Sequence, residues 1–130
     1  MATSPTQRTL KAFKDAGYTT GIVERYITIP NMKFGKRIDL FHIIDIIAMN
    51  GKEIIGVQSC GQAYSEHHKK IIETEASLEW LESGGILELW GWRKVKKVKG
   101  GKQMIWKPRV HRFTQSDFPM DLQFGKKQPI

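Results

Sequence analysis

An aspartate occupies the most apolar stretch of the chain: Asp45 sits inside IIDII, within residues 37–60, RIDLFHIIDIIAMNGKEIIGVQSC. An ionised carboxylate in such a setting is costly unless a metal, a cation or hydrogen bonds compensate it. Two apolar runs flank Asn50-Gly51, the pair favoured in a type I′ hairpin turn because both central residues take positive φ. With those residues as a two-residue loop, Met49 faces Lys52, Asp45 lies opposite Gly56, and Gln58 is its diagonal neighbour. Side-chain alternation then projects Asp45, Gln58 and Cys60 from one face. Diagonal partners are about 7–8 Å apart at Cα, close enough for a carboxylate and an amide oxygen to share one divalent cation. The competing readings are structural: an ion pair of Asp45 with Arg37 or Lys36, a hydrogen bond to His42, and for Gln58 a hydrogen bond within the sheet.

The elements that must position these groups follow from local pattern. Ser4 can cap a helix with Pro5 at its first position and Gln7 as the capping-box partner; the helix runs to about Ala16, turns Leu10 and Phe13 inward and stops at Gly17. Residues 19–29, rich in Thr, Ile, Val and Tyr, read as a strand carrying Glu24. Asn31 and Gly35 mark a turn over 30–35 that leads into the hairpin. The hairpin strands are nearly continuous apolar runs, as in a sheet covered on both faces. A second helix is expected over about 65–83, with Ile71, Ile72, Ala76, Leu78 and Leu81 on its apolar face and Gly84 as its stop. Residues 86–92 and 103–113 read as two further strands joined by a tip around Gly100-Gly101. The result is an α/β fold, a mixed sheet of about five strands with a helix on each side. Residues 1–113 form one domain, and the tail 114–130, holding Pro119, Gly125, Lys126, Lys127 and Pro129, shows no period and is expected to be mobile or used in oligomer contacts.

Composition narrows the partners. A chain of 130 residues with 40% hydrophobic and 26% charged residues suits one globular domain with a proper core. No apolar run reaches the ~18 residues of a membrane span and the start lacks a signal-peptide segment, so a cytosolic protein is expected, with no membrane partner. The single cysteine, Cys60, excludes an internal disulfide and a multi-cysteine zinc cage. The net charge of +8 favours a polyanion, most simply nucleic acid. Basic residues concentrate at Lys36 and Arg37, at Lys69 and Lys70, and along 93–112, where Arg93, Lys94, Lys96, Lys97, Lys107 and Arg109 interleave with apolar residues as on a strand with one phosphate-facing side. A solvated strand face is the plainer alternative.

Three segments, DLFHIIDIIAM, IIGVQSC and LWGWRK, resemble the PD-(D/E)XK nuclease superfamily, in particular its Holliday-junction-resolvase-like and phage replication-repair branch. The resemblance covers residues 8–113. It implies a restriction-endonuclease-like α-β-β-β-α-β core with the active site on the central hairpin, and a metal-dependent endodeoxyribonuclease acting on branched or structured DNA. The family Asp falls on Asp45, the Glu-x-Lys signature on Gln58, Ser59 and Cys60, and an upstream acid on Glu24; Asp39 is a second candidate ligand. Mg²⁺, with Mn²⁺ able to substitute, is the implied cofactor, held by Asp45, the Gln58 side-chain oxygen, the Ser59 carbonyl and Asp39, with no small-molecule cofactor. Because Cys60 stands where relatives carry lysine, the resemblance shifts that role to the second helix, to Lys70 or else Lys69. Gln for Glu removes a negative charge, so the alternative is a non-catalytic DNA-binding protein with a degenerate nuclease fold. A C2 homodimer suits a symmetric junction, and a phage-encoded protein would work in the host cytosol.

Two other chemistries are weaker. His67 and His68 are adjacent, so on a helix they point about 100° apart and cannot chelate one ion as an i, i+4 pair does. Cys60 with a histidine lacks an oxyanion loop or a third member. Trp80, Trp90, Trp92 and Trp106 read chiefly as core, with Trp92 beside Arg93 the one placed to touch DNA.

Overall fold

The computed structural model describes residues 3–28, 30 and 35–124; the predicted turn at Asn31 and the tail residues Gly125, Lys126, Lys127 and Pro129 lie outside them. The chain opens with α1 (Pro5–Asp15), followed by β1 (Thr19–Ile22), β2 (Arg25–Ile27), β3 (Lys36–Ile38), β4 (Ile46–Met49) and β5 (Ile54–Cys60). Then come α2 (Tyr64–Glu73), α3 (Glu75–Glu82), β6 (Ile86–Lys96) and β7 (Met104–Arg112), a 3-10 turn (Gln115–Asp117) and α4 (Met120–Phe124). A five-stranded sheet has the order β1-β4-β5-β6-β7, with β5 and β6 parallel and the other neighbours antiparallel. The fold is therefore α/β with a mixed five-stranded sheet and helices on both sides. No helix among the described residues is long and apolar enough to cross a membrane.

Each face of the sheet has its own core. The Ser4 hydroxyl accepts the Gln7 backbone N–H at 3.1 Å and Pro5 opens the helix, so α1 starts where its capping residues dictate. It lays Leu10 and Phe13 on Ile46, Ala48, Ile55 and Val57. On the other face Ile71 of α2 and Leu78 of α3 pack with Ile43, Ile44, Cys60, Leu87, Leu89 and Phe113. Covered on both sides, the central strand β5 is buried from Ile55 to Cys60, which explains its unbroken apolar run. Gly56 is required there: a Cβ would stand 2.5 Å from Ile44 Cδ1.

Four sequence expectations are corrected. The Asn50-Gly51 turn exists, but the loop has four residues, since Met49 pairs with Ile54 rather than facing Lys52. Asn50 Oδ1 accepts both Lys52 N–H (3.0 Å) and Glu53 N–H (3.1 Å), an Asx-type closure that competes with the two-residue turn. The register consequently moves by two, Ile46 pairing with Val57 and Ile47 with Gly56, so Asp45 falls opposite Gln58 with its facing preserved. The strand expected over 19–29 is broken at Val23 and Glu24: β1 belongs to the large sheet, whereas β2 pairs with β3 in a separate two-stranded ribbon. The second helix is interrupted at Thr74, whose extended backbone (φ −97°, ψ 118°) separates α2 from α3 and whose hydroxyl donates to the Lys70 carbonyl at 2.6 Å. Finally, the segment after Phe113 forms the 3-10 turn and α4, with Phe118 buried and Leu122 packed on the same core.

Candidate metal centre and the basic surface beside it

Asp45 is fixed by its backbone at the entry to β4. Its N–H donates to the Val57 carbonyl (2.9 Å) and its own carbonyl accepts from Val23 N–H (3.0 Å), tying it to strands on both sides. The side chain is only 4% exposed. Among the described residues its Oδ2 accepts three hydrogen bonds, from Ser59 N–H (3.1 Å), Ser59 Oγ (3.0 Å) and Gln58 Nε2 (3.3 Å), while Oδ1 is buried without a partner. Among the described residues no ion pair reaches Asp45; Arg37 lies instead 3.9 Å from Glu24. Burial pushes the Asp45 carboxyl up to about 7, and the bonds from Ser59 and Gln58 offset this only in part.

Two more carboxylates converge on it. Glu24 occupies the corner between β1 and β2, and Asp39 follows β3; one oxygen from each of Glu24, Asp39 and Asp45 lies within 4.8 Å of the others. The link from Asp39 to Asp45 is a tight turn in which Leu40 and Ile44 bridge, His42 N–H donates to the Asp39 carbonyl (3.0 Å), and Phe41 and His42 take left-handed φ of 55° and 65°. Such conformations cost about 1–3 kcal/mol each in non-glycine residues, and they return the chain so that both acids face one cleft. Glu24 is held above the usual carboxylate range, first by burial and then by the Asp39 charge.

Gln58 spans the acids. Its Nε2 donates to Asp39 Oδ2 at 3.0 Å as well as to Asp45 Oδ2, and its Oε1 is buried without a partner among the described residues. The amide N–H₂ thus separates two carboxylates that would otherwise repel, leaving an amide oxygen and Asp45 Oδ1 as orphaned buried acceptors. Three clustered carboxylates with two unpaired buried oxygens suit a hard, oxygen-preferring divalent cation. Ser59 braces the site through its N–H and hydroxyl, the latter also 3.2 Å from Thr6 Oγ1 of α1.

The cleft, about 430 Å³, is lined by the start of α1, by Glu24, Arg37, Asp39, Asp45, Gln58 and Ser59, and by His67 of α2. Lys69 and Lys70 are both exposed and line no part of it. His67 supplies α2's contribution: its Nδ1 is buried without a partner, and burial followed by the nearby Lys70 charge holds the imidazole below its ordinary value. The spacing Tyr64, His67 or His68, Ile71 marks the sheet-facing side of α2, the signal in the sequence that points His67 inward. Cys60 belongs to the core, its thiol pushed up to about 11 by burial.

The basic residues of the β6–β7 hairpin are exposed, with Arg93 opposite Lys107, Lys94 opposite Trp106 and Arg109 opposite Gly91. Lys96 and Lys97 extend the same basic surface towards the hairpin tip, and Lys36 is exposed on the β2–β3 ribbon. Trp92 is not available to DNA: it is buried, and its Nε1 donates to Thr9 Oγ1 at 2.8 Å, tying α1 to β6. Trp106 is the exposed member of the four. Comparison with protein-family models and with curated proteins returns no match.

Proposed function

We propose that the protein is a metal-dependent endodeoxyribonuclease that hydrolyses phosphodiester bonds in branched or structured DNA, in the manner of the PD-(D/E)XK superfamily it resembles. The observation that carries this reading is the meeting of Glu24, Asp39 and Asp45 within 4.8 Å at a cleft where Asp45 Oδ1 has no partner. With the β2–β3 ribbon and α3 set aside, the order α1, β1, β4, β5, α2, β6 is compatible with an α-β-β-β-α-β core, which supports the reading.

Glu24, Asp39, Asp45 and the Gln58 oxygen would hold Mg²⁺ or Mn²⁺, which when bound lowers the pKa of water and offsets charge developing on phosphate. The protein does the rest. Ser59 keeps the Asp45 carboxylate oriented through its N–H and hydroxyl, and Thr6 contacts that hydroxyl from α1. His67, its imidazole held below its ordinary value by burial, lines the cleft from α2 and would accept the proton of the attacking water, a task not left to Cys60 or to the exposed lysines. Arg37 and the exposed cations of β6 and β7 hold flanking phosphates, and a homodimer would present two such clefts to a symmetric junction.

A second reading has its own observation. Gln58 Nε2 already bridges Asp39 and Asp45, so the chain can neutralise part of its acidic cluster without an ion, as a non-catalytic DNA-binding protein would. Titrating Mg²⁺ or Mn²⁺ against a four-way junction and a linear duplex separates the two. Cleavage by the native chain, abolished in Asp45→Ala while binding survives, is the expected result; binding without cleavage under every metal would establish the alternative.

A further inference from the structure

Next to the acidic cleft lies a second groove of about 670 Å³, and Pro5 lines both. Arg8 of α1, Arg93 and Lys94 of β6 and Arg109 of β7 contribute to its lining, and among the described residues no Asp or Glu does. The cations are arranged on aromatic faces. The Arg8 guanidinium carbon is 3.7 Å from the Trp106 ring centroid, Lys94 Nζ is 5.7 Å from it, and the Arg109 guanidinium carbon is 4.1 Å from the Tyr64 centroid. Trp106 is 44% exposed although it is among the largest apolar side chains of the protein. Tyr64 is laid close against the sheet because Gly91 has no Cβ to collide with its ring. Planar guanidiniums stacked on indole and phenol rings supply a π-face for a base and forked donors for phosphate. In a duplex the base faces are already stacked on one another, so an exposed indole finds a partner only on an unpaired strand.

We propose that this groove binds an unpaired DNA strand, one base stacking on the face of Trp106 that Arg8 does not cover and the adjoining phosphates held by Arg8, Arg93, Lys94 and Arg109, with the strand passing Pro5 into the acidic cleft. The strand's destination rests on the hydrolase reading; the binding itself needs no metal. The substrate class is thereby narrowed to DNA with a single-stranded arm or an opened branch point.

The test is fluorescence anisotropy in EDTA with labelled oligothymidylate of about 12 nucleotides, within the span of known single-strand grooves, beside a hairpin duplex of the same nucleotide count. The single strand is expected to bind the native chain about tenfold more tightly than the duplex. Trp106→Ala should weaken single-strand binding about tenfold and leave duplex binding unchanged, while Trp106→Phe retains most of it. Lys94→Ala and Arg109→Ala should each flatten the slope of log affinity against log salt by about 0.7. Trp106→Ala should remain folded, with a cooperative melt lowered by no more than a few degrees for the lost Arg8 and Lys94 contacts, so that its binding loss is read on a folded chain. Equal affinity for strand and duplex, a silent Trp106→Ala, or competition by poly-glutamate as effective as unlabelled oligothymidylate would overturn the proposal. Trp106-dependent strand binding with no cleavage under any metal sinks the hydrolase reading alone. Metal-dependent cleavage that is indifferent to Trp106→Ala sinks the groove alone.

Discussion

Replacing Asp45 with Asn should make the protein more stable and, at the same time, inert. Burial raises the Asp45 carboxyl to about 7 from an ordinary 3.8, so the folded chain keeps its proton over a window of about 3 in pH in which the unfolded chain has lost it. At 1.36 kcal/mol per unit this amounts to about 4 kcal/mol of stability that the native chain lacks at pH 8 and retains at pH 4. The direction follows from proton binding: between pH 4 and 7 the folded state holds a proton that the unfolded state has released, so stability falls as pH rises and levels off above 7. Asn carries no charge, keeps an oxygen for Ser59 N–H, Ser59 Oγ and Gln58 Nε2, and puts an N–H₂ where Oδ1 has no partner. Taking half the ceiling as realised after relaxation, Asp45→Asn should be about 2 kcal/mol more stable than native at pH 8, a rise in melting temperature of about 8 °C for a domain of this size. Urea unfolding of both proteins in EDTA at pH 4.5, 6 and 8 measures the gap, which should widen with pH. Millimolar Mn²⁺ should then stabilise the native chain, by about 2.7 kcal/mol at a hundred times its dissociation constant, and leave the variant unmoved. An Asn variant less stable than native at pH 8, or a gap independent of pH, would refute the claim that Asp45 is held charged against its environment.

Gln58→Glu exchanges the bridging N–H₂ for a further carboxylate, so in EDTA the variant should melt several degrees below native; Mn²⁺ should restore it and bind more tightly than to the native chain, as read by isothermal titration calorimetry. His67→Gln should lower cleavage about a hundredfold with little change in junction affinity and remove the acid limb of the pH–rate profile; Lys70→Ala, on the exposed side of α2, should retain activity. His42→Gly relieves one left-handed residue at an exposed turn position and should raise stability by about 0.5–1 kcal/mol in denaturant unfolding; a loss of stability would mean that the turn is not strained.

What could be read from residue order alone was whatever neighbours along the chain decide. Ser4-Pro5 starts α1 because a hydroxyl and a missing N–H suit a helix entrance, and the central apolar run makes a doubly covered strand that singles out Asp45 as the misplaced charge. Asn50-Gly51 marks the hairpin, and alternation keeps Gln58 on the facing of Asp45 even though the loop is two residues longer than the pair suggests. Tertiary structure decided the rest. Glu24, Asp39 and Asp45 meet because β1 breaks away from β2 and because a left-handed turn folds residues 39–45 back, neither of which a local period encodes. Packing of α2 on the sheet turns His67 rather than Lys70 into the cleft, and the bond from Trp92 to Thr9 buries one tryptophan while Trp106 stays outside. Periodicity and capping are energies between near neighbours, whereas the site is assembled from contacts between elements far apart in sequence, whose geometry is set only once both cores have closed.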